Sequence, residues 1–402
     1  MARSKDRSCR LGVYSDAIHL TLGATIPSNR SIVFSMKKKL IIVTTILLSA
    51  FMLSACTGGA VRGMSWPGLT ADENLAYLAD GPLVYAVSLE DGRLAWKYPG
   101  ERNNKLVFYS TPAVTPDGLV IVGSAGTDHS LIALNPNAIN PDTNAPAEEW
   151  KFTGAKDHWV AAPLIVNNSL FAVNSDGNLY ILDLQDGQSL KEATVVELGG
   201  RLWASPTTDG QRVFITSLDH SVIAVDANTH EVLWHEDVAG AVPGSAVLGQ
   251  DGSLYVGSLA SQLEKFDPAT GNHQVLVDAE NWVWSTPSLD GDALYFGDVD
   301  GNFYSFNISN SSLNWKPVKP DGALTASPLV REDYILLATE SGSVFALDRD
   351  GKVLWNQQIG GKIYTTPVAA GDLTIVAPLE TEFYLTALDA NGRQVWTFTP
   401  EN

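Results

Sequence analysis

Tryptophan recurs in this chain at the end of a short phrase that begins with glycine. The phrase reads Gly-Arg-Leu-Ala-Trp96, Gly-Lys-Val-Leu-Trp355 and Gly-Arg-Gln-Val-Trp396. The six tryptophans in this register are Trp96, Trp150, Trp234, Trp315, Trp355 and Trp396. When Lys191 and Val275 fill the two missing places, the steps are 54, 41, 43, 41, 40, 40 and 41 residues. A fixed period of this size predicts stacked copies of one supersecondary unit.

Each repeat contains four short runs of β-branched and aromatic residues, separated by Gly, Asp and Asn turn signals. Such runs predict strands joined by hairpin turns, and no stretch after residue 60 has a sustained helical period. Four antiparallel strands in about 40–45 residues form the blade of a β-propeller. We therefore predict an all-β fold, an eight-bladed β-propeller, with blades beginning near residues 62, 104, 156, 199, 240, 280, 320 and 361.

Two units depart from the regular pattern. In the first unit, Ser65-Trp66-Pro67 stands where later units have Ser, Thr or Ala followed by proline. In the second, the segment Asn135–Glu149 is inserted and is rich in Pro, Asn and Ala. We predict that this insertion is a surface loop between the third and fourth strands of blade 2.

The repeated tryptophans have a structural interpretation. An indole at one equivalent site per blade buries roughly 150–250 Å². We expect Trp96, Trp150, Trp234, Trp315, Trp355 and Trp396 to wedge between neighbouring blades and to set their spacing.

The segment before the repeats resembles an export signal. Met36-Lys-Lys-Lys is followed by a 14-residue apolar run, Leu40–Leu53, and then by Ser54-Ala55-Cys56. The apolar run is too short to span a membrane. Leu-Ser-Ala-Cys resembles the lipobox of bacterial lipoproteins, which implies a signal peptide over residues 36–55, lipidation of Cys56 and a linker over 56–61. Residues 1–35 have two open interpretations, an over-extended start or a disordered tail.

Composition narrows the classes of partner and chemistry. The only other cysteine is Cys9, so residues 62–402 contain no thiol for a disulfide or a redox site. Residues 56–402 carry a net charge of −25. An acidic exported domain disfavours nucleic acid and anionic membrane surfaces as partners. We expect a monomeric propeller in the bacterial cell envelope, attached to a membrane through Cys56.

The phrase Ala-Leu-Asp-x-x-Gly-x-x-x-Trp resembles the pyrrolo-quinoline-quinone-type propeller repeat. Its best copies are Val225–Trp234 and Ala346–Trp355, and the resemblance covers residues from about 62 to 402. One branch with this repeat, the quinoprotein alcohol dehydrogenases, has adjacent cysteines, a catalytic Asp and a Ca²⁺ site. This chain lacks adjacent cysteines and is much shorter. Its turns Asp298–Asn302 and Asn174–Asn178 lack the bidentate acid that closes a Ca²⁺ loop.

A second branch is similar in chain size, lipobox and blade count. It comprises the lipoprotein subunits of the outer-membrane β-barrel assembly machine, and this resemblance implies a protein-binding scaffold. A lipid-anchored propeller with another partner fits equally well.

Catalytic motifs are absent from the sequence. The histidines of the repeats lie on turns or edges, and there is no nucleophile elbow or phosphate loop. We therefore predict no catalytic residues, no metal site and no cofactor. The alternative is an enzyme of the same fold, either a quinone-binding enzyme like the quinoproteins or one that acts on a carbohydrate.

A candidate binding site lies three residues before the Ser/Thr/Ala-Pro proline. This position holds an aromatic residue in blades 2, 4, 6 and 8 and a smaller residue in blades 3, 5 and 7, and the aromatic residues are Tyr109, Trp203, Trp284 and Tyr364. The position precedes the innermost strand near one mouth of the channel, and Trp159 and Trp282 lie beside it. The rings form either an aromatic rim that takes a partner segment or a layer packed under the connecting loops.

Overall fold

The computed structural model describes residues 66–184 and 193–400, and within these residues every regular element is a β-strand. The strands form eight four-stranded sheets, and in each sheet four consecutive strands pair in order. All pairings are antiparallel. These sheets are the blades of an eight-bladed β-propeller, so the predicted fold class and blade count are confirmed.

The first four blades contain strands β1 to β16. Blade 1 consists of β1 (Gly68–Ala71), β2 (Leu75–Asp80), β3 (Leu83–Ser88) and β4 (Leu94–Tyr98). Blade 2 consists of β5 (Ala113–Val114), β6 (Val120–Gly123), β7 (Leu131–Asn140) and β8 (Ala145–Phe152). Blade 3 consists of β9 (Leu164–Val166), β10 (Ser169–Val173), β11 (Asn178–Asp183) and β12 (Thr194–Glu197). Blade 4 consists of β13 (Thr207–Thr208), β14 (Arg212–Thr216), β15 (Ser221–Asp226) and β16 (Val232–Asp237).

The last four blades contain strands β17 to β32. Blade 5 consists of β17 (Val247–Leu248), β18 (Leu254–Ser258), β19 (Gln262–Phe266) and β20 (His273–Asp278). Blade 6 consists of β21 (Ser288–Asp290), β22 (Ala293–Gly297), β23 (Phe303–Asn307) and β24 (Ser312–Leu313). Blade 7 consists of β25 (Leu329–Val330), β26 (Ile335–Ala338), β27 (Ser343–Leu347) and β28 (Val353–Gln358). Blade 8 consists of β29 (Val368–Ala370), β30 (Leu373–Val376), β31 (Leu385–Leu388) and β32 (Gln394–Phe398).

The hydrophobic core is divided among the faces where two blades meet, which we call seams. Each of eight buried apolar clusters combines residues of two neighbouring blades. One cluster joins Leu69 and Ala76 of blade 1 to Ile375 of blade 8 and closes the ring. Both faces of every blade are therefore buried, which explains why the strands are apolar at nearly every position.

The insertion in blade 2 differs from its prediction. Strand β7 runs to Asn140 and β8 begins at Ala145, so most of Asn135–Glu149 is an extended hairpin and the predicted surface loop is wrong. Pro136 lies in a bulge of this hairpin, where no ladder donor is needed. The Lys97 N–H donates to Asn144 O (3.1 Å) and Asn144 Nδ2 donates to Ala95 O (3.1 Å). The hairpin tip thus covers the outer edge of blade 1.

Across residues 66–184 and 193–400 there is no helix of the length and apolarity needed to cross a membrane.

Candidate functional site at the channel mouth

One end of the propeller is formed by two kinds of segment. The lead-in segments are the stretches that precede each innermost strand, and the inner turns join the second and third strands of a blade. The two are hydrogen-bonded to each other around the ring. For example, Ser175 N donates to His158 O (3.1 Å), Val242 N to Ser217 O (3.1 Å) and Val299 N to Trp282 O (3.1 Å). We call this end the mouth.

Side chains of the lead-in segments alternate between two directions, as in an extended chain. The residue four before the proline, or before Ala246 in blade 5, points into a seam. It is at most 1% exposed in all seven described lead-in segments, where it is Phe108, Trp159, Leu202, Val242, Val283, Leu324 or Ile363. The residue three before the proline, or before Ala246 in blade 5, is half-buried in every case. It lies on the opposite side of the segment, toward the channel mouth.

The four predicted rim residues occupy this half-buried position. Tyr109, Trp203, Trp284 and Tyr364 lie in the lead-in segments of blades 2, 4, 6 and 8, and each keeps part of its surface exposed. The smaller residues at the same position in blades 3, 5 and 7 are Val160, Pro243 and Thr325, which are also half-buried. Large and small side chains therefore alternate around the mouth.

Hydroxyl groups join the blades in pairs at the same level. Ser205 Oγ accepts from Ala162 N (3.0 Å), Thr286 Oγ1 from Ser245 N (2.9 Å) and Thr366 Oγ1 from Ser327 N (3.0 Å). These bonds link blade 3 to 4, blade 5 to 6 and blade 7 to 8. The acceptor belongs to the blade with the aromatic residue, so the mouth repeats in units of two blades.

Trp66 is a mouth residue that the sequence reasoning missed. Its ring stacks on Tyr364 with centroids 5.4 Å apart, and it meets Trp284 edge-on at 5.3 Å. It stands one residue before Pro67, outside the register that located the other rim residues. The signal in the sequence is a tryptophan at a position where the other units have Ser, Thr or Ala.

The two tryptophans predicted to lie beside the rim have different environments. Trp159 is 1% exposed, and its Nε1 donates to His129 O (2.8 Å), so it belongs to the core. Trp282 is 50% exposed and lies two residues before Trp284, on the same side of the segment. Only Trp282 of this pair extends the aromatic surface of the mouth.

Carboxylates of blades 7 and 8 surround one side of the aromatic surface. Lys362 Nζ lies 3.1 Å from Glu380 Oε1, and this hydrogen bond is the main cause that raises the pKa of Lys362. Burial and the nearby charges of Glu340 and Glu380 raise the pKa of the Tyr364 hydroxyl, although Lys362 opposes them. Two acidic groups and one basic group make this part of the mouth negative.

The inner turns that resemble oxygen-ligand loops are stabilised by their own hydrogen bonds. Asp298 is fully buried; its Oδ1 accepts from Asn302 N (2.8 Å), and its Oδ2 accepts from Asn302 Nδ2 (2.9 Å) and Tyr304 OH (3.0 Å). Within residues 66–184 and 193–400, no group of three or more His, Cys, Asp or Glu side chains is placed to hold a metal ion. The carboxylate of Asp298 therefore caps the turn.

Two histidines meet at the mouth although they lie far apart in sequence. The rings of His129 and His158 are 5.5 Å apart and T-shaped, and His158 Nδ1 lies 2.9 Å from Asp157 Oδ1. The sequence reasoning placed them on turns of different blades and did not bring them together.

The repeated tryptophans lie at the outer part of the seams. Trp234 Nε1 donates to Pro268 O of the next blade (2.9 Å), and equivalent bonds run from Trp315 to Arg349, from Trp355 to Ala390 and from Trp396 to Leu89. Trp96 is buried in the seam between blades 1 and 2, and Trp150 packs at the seam between blades 2 and 3. Cys56 and Lys191 lie outside the described residues.

A family model described as outer membrane protein assembly factor BamB matches residues 52–274, 218–349 and 318–402. BamB of Moranella endobia is 24% identical over 307 residues, which are 70% of this chain and 72% of the relative. BamB of Shewanella oneidensis is 26% identical over 235 residues, 53% of this chain and 57% of the relative.

Two solved structures share the fold. The crystal structure of BamB from Moraxella catarrhalis has a TM-score of 0.61 at 20% identity and covers 85% of this chain and 97% of that one. The computationally designed Ika8 protein has a TM-score of 0.63 at 14% identity and covers 84% and 98%. Since the family model accounts for residues 52–402 in three overlapping segments, the chain belongs to the family of outer membrane protein assembly factor BamB.

Proposed function

We propose that this chain is a lipid-anchored, extracytoplasmic propeller that binds protein partners during the assembly of outer-membrane proteins. Its relatives are named as outer membrane protein assembly factors, which favours a binding role over catalysis. Residues 36–55 act as the signal peptide, Cys56 carries the lipid, residues 56–61 form a linker, and residues 62–402 form the propeller.

The main observation that supports this proposal is the exposed aromatic surface of the mouth. Trp282 is 50% exposed and Trp66 is 41% exposed, next to half-buried Trp284 and Tyr364. Tryptophan and tyrosine are enriched where proteins bind each other, because a large rigid ring buries area at low entropic cost. Packing under the connecting loops explains the half-buried rings, but it does not explain why Trp66 and Trp282 remain partly exposed to solvent.

Site-specific photo-crosslinking in cells tests the binding role. A photoreactive phenylalanine derivative at Trp203 should form adducts with a component of the outer-membrane assembly machinery, identified by mass spectrometry. The same derivative at Asn228, in a turn at the opposite end of blade 4, is the control and should form none. Equal adducts at both sites, or none at Trp203, would contradict the proposal.

A pair of substitutions separates binding from packing. Trp203→Ala with Trp284→Ala should weaken partner capture while the propeller remains folded. The matched control is Leu233→Ala with Leu354→Ala, which removes two apolar side chains that are 46% and 51% exposed on outer strands. Loss of stability with capture intact would assign the rim to packing.

The lipid anchor has its own test. Cells fed with labelled palmitate should incorporate the label into the wild-type chain but not into Cys56→Ala, and only the wild type should sediment with membranes. Labelling of both chains, or of neither, would contradict lipidation at Cys56.

A further inference from the structure

Trp66 fills a gap between two rim residues that do not belong to adjacent blades. Trp284 precedes the innermost strand of blade 6 and Tyr364 that of blade 8, and blade 7 between them presents the small residue Thr325. The Trp66 ring lies 5.3 Å from one and 5.4 Å from the other. We call this gap the aromatic slot, and its shape and chemistry suit an indole.

Trp66 is more exposed than the buried tryptophans of the seams. Its side chain remains 41% exposed, whereas Trp96, Trp234 and Trp396 in the seams are 3%, 8% and 8% exposed. Strand β1 begins only at Gly68, and the preceding Pro67 O accepts a hydrogen bond from Thr365 Oγ1 (2.6 Å). The indole can therefore leave the slot by rotation of its own side chain, while Pro67 and β1 keep their contacts.

The surroundings of the slot favour a positively charged neighbour. Glu340 and Glu380 act on the Tyr364 hydroxyl, and Lys362 is the nearby cation that opposes them. The propeller as a whole is acidic. A lysine or arginine next to a bound aromatic residue would thus gain electrostatic attraction and contact with the tryptophan faces.

We propose that the aromatic slot binds an aromatic side chain of a partner segment that also carries a neighbouring Lys or Arg, and that Trp66 is an internal ligand which this segment displaces. The proposal rests on the proposed function, because it assigns to one place on the mouth the chemistry of its ligand.

A peptide supplied in trans tests the slot. The probe is a fluorescein-labelled peptide of residues 62–69, Arg-Gly-Met-Ser-Trp-Pro-Gly-Leu, titrated with the full-length protein in detergent. A tethered side chain competes at an effective concentration in the millimolar range. We therefore expect Trp66→Ala to bind the peptide about five- to tenfold more tightly than the wild type.

Controls locate the binding and its chemistry. Trp66→Ala combined with Tyr364→Ala should lose the gain, and Trp66→Ala combined with Leu354→Ala should keep it. A probe with alanine in place of tryptophan should not bind, and a probe with alanine in place of arginine should bind more weakly, by a factor that shrinks with added salt.

The outcomes separate this inference from the proposed function. If Trp66→Ala binds the peptide no better and melts at a much lower temperature, Trp66 is a latch that closes the ring and the slot proposal is wrong. Adducts at Trp203 in cells would then still support a protein-binding mouth. If those adducts are absent while the peptide binds Trp66→Ala more tightly, the slot exists and the proposed partner role is wrong.

Discussion

The seam between blades 4 and 5 and the seam between blades 5 and 6 solve the same packing problem in different ways. In the first, Trp234 stacks on Phe266 of blade 5 at 6.4 Å, and its ring covers Gly271, the glycine that opens the next phrase. A Cβ on Gly271 would lie 2.9 Å from the indole, so only glycine leaves room for the ring. Gly271 also has φ +78°, which favours glycine independently.

The same contact, which we call the glycine seat, recurs where a described blade carries the tryptophan and the next blade in the ring carries the glycine. Trp315 lies against Gly351, Trp355 against Gly392 and Trp396 against Gly92, all of which have positive φ. In each of these pairs the glycine of one blade serves the tryptophan of the blade before it. Each Gly-x-x-x-Trp phrase therefore contributes to two successive seams. Its glycine belongs to the seam with the preceding blade, and its tryptophan belongs to the seam with the following blade.

The seam between blades 5 and 6 contains neither the tryptophan nor the glycine of this pair. Strand β20 pairs Val275 with Glu264, on the face toward blade 4, because its bulge follows Val275 instead of preceding it. The interpretation that Val275 takes the tryptophan's place is thus wrong. Lys265 faces blade 6 instead, with Nζ 2.9 Å from Asp251 Oδ2 and 5.9 Å from the centre of the Tyr255 ring. Ser311 stands at the glycine position of blade 6.

The two irregular seams lack both residues of the pair, although Trp96 of blade 1 is followed by Pro146 at the glycine position of blade 2. Where blade 5 lacks tryptophan, blade 6 lacks glycine. In blade 3 the repeat register has Lys191, which lies outside the described residues, at the tryptophan position, and blade 4 has His230 at the glycine position, with φ +64° and its ring 6.0 Å from Phe171 of blade 3. A seam that contains no indole does not require glycine at this position, because no ring has to be accommodated there.

The largest expected effect comes from removing the indole of a regular seam. Trp234→Ala should lower the free energy of unfolding by roughly 3–5 kcal/mol, because it leaves a cavity and loses a buried ring. Val275→Ala in the irregular seam should cost less than about 1 kcal/mol, since Val275 is 45% exposed. Denaturant titration measures both, and equal losses would show that the two seams do not differ.

A smaller loss is expected from filling the seat. Gly271→Ala should cost about 2–3 kcal/mol, since it combines an unfavourable positive φ with overpacking against Trp234. Gly252→Ala is the matched control, because Gly252 has φ +77° and no atom within 4 Å of the added Cβ. It should lose only about 1 kcal/mol. Equal losses of stability in the two variants would show that the contact between Gly271 and Trp234 does not contribute.

The charged contact of the irregular seam should depend on pH. Burial tends to raise the pKa of Asp251, but hydrogen bonds from Lys265, Tyr255 and Ser253 outweigh it and lower the pKa to about 2. Such a shift corresponds to about 2.5 kcal/mol, which screening of a carboxylate that is 33% exposed reduces to about 1 kcal/mol.

Because the folded pKa lies below the unfolded value, this stability is present above about pH 4 and is lost as the pH falls through 2. Asp251→Asn should therefore be less stable than the wild type at pH 6 by about 1 kcal/mol and equal to it near pH 2. Exposed Asp333→Asn is the control and should show no such convergence. A difference that does not change with pH would contradict the assignment.

The smallest effect is expected at the seam between blades 3 and 4. His230→Gly relieves a positive φ, worth roughly 1 kcal/mol, and loses an edge-to-face ring contact worth about 0.5–1.5 kcal/mol. We expect a net change within about 0.5 kcal/mol. A loss above about 2 kcal/mol would show that His230 supports this seam as firmly as an indole supports the others.

Much of the architecture could be predicted because it is encoded locally. Strand runs, turn residues and the period of the phrase are all read within about 40 residues, and they predicted eight blades and the place of each tryptophan in the repeat. The hairpin over Asn135–Glu149 could not be predicted from the sequence, because its Asn and Pro residues are typical of loops. Their pairing depends on a bulge and on contact with blade 1.

Local residue patterns were enough to specify the repeat, and with it the blade, the blade count and the alternation of aromatic and smaller residues near the mouth. The residues that meet across seams and across the channel depend on how the blades pack. The glycine seat joins residues about 37 positions apart, and Trp66 meets Tyr364 from the other end of the chain. The contact between Trp66 and Tyr364 forms only when the ring closes, and the period of the repeat predicts that a tryptophan lies between blades but not which residues it meets there.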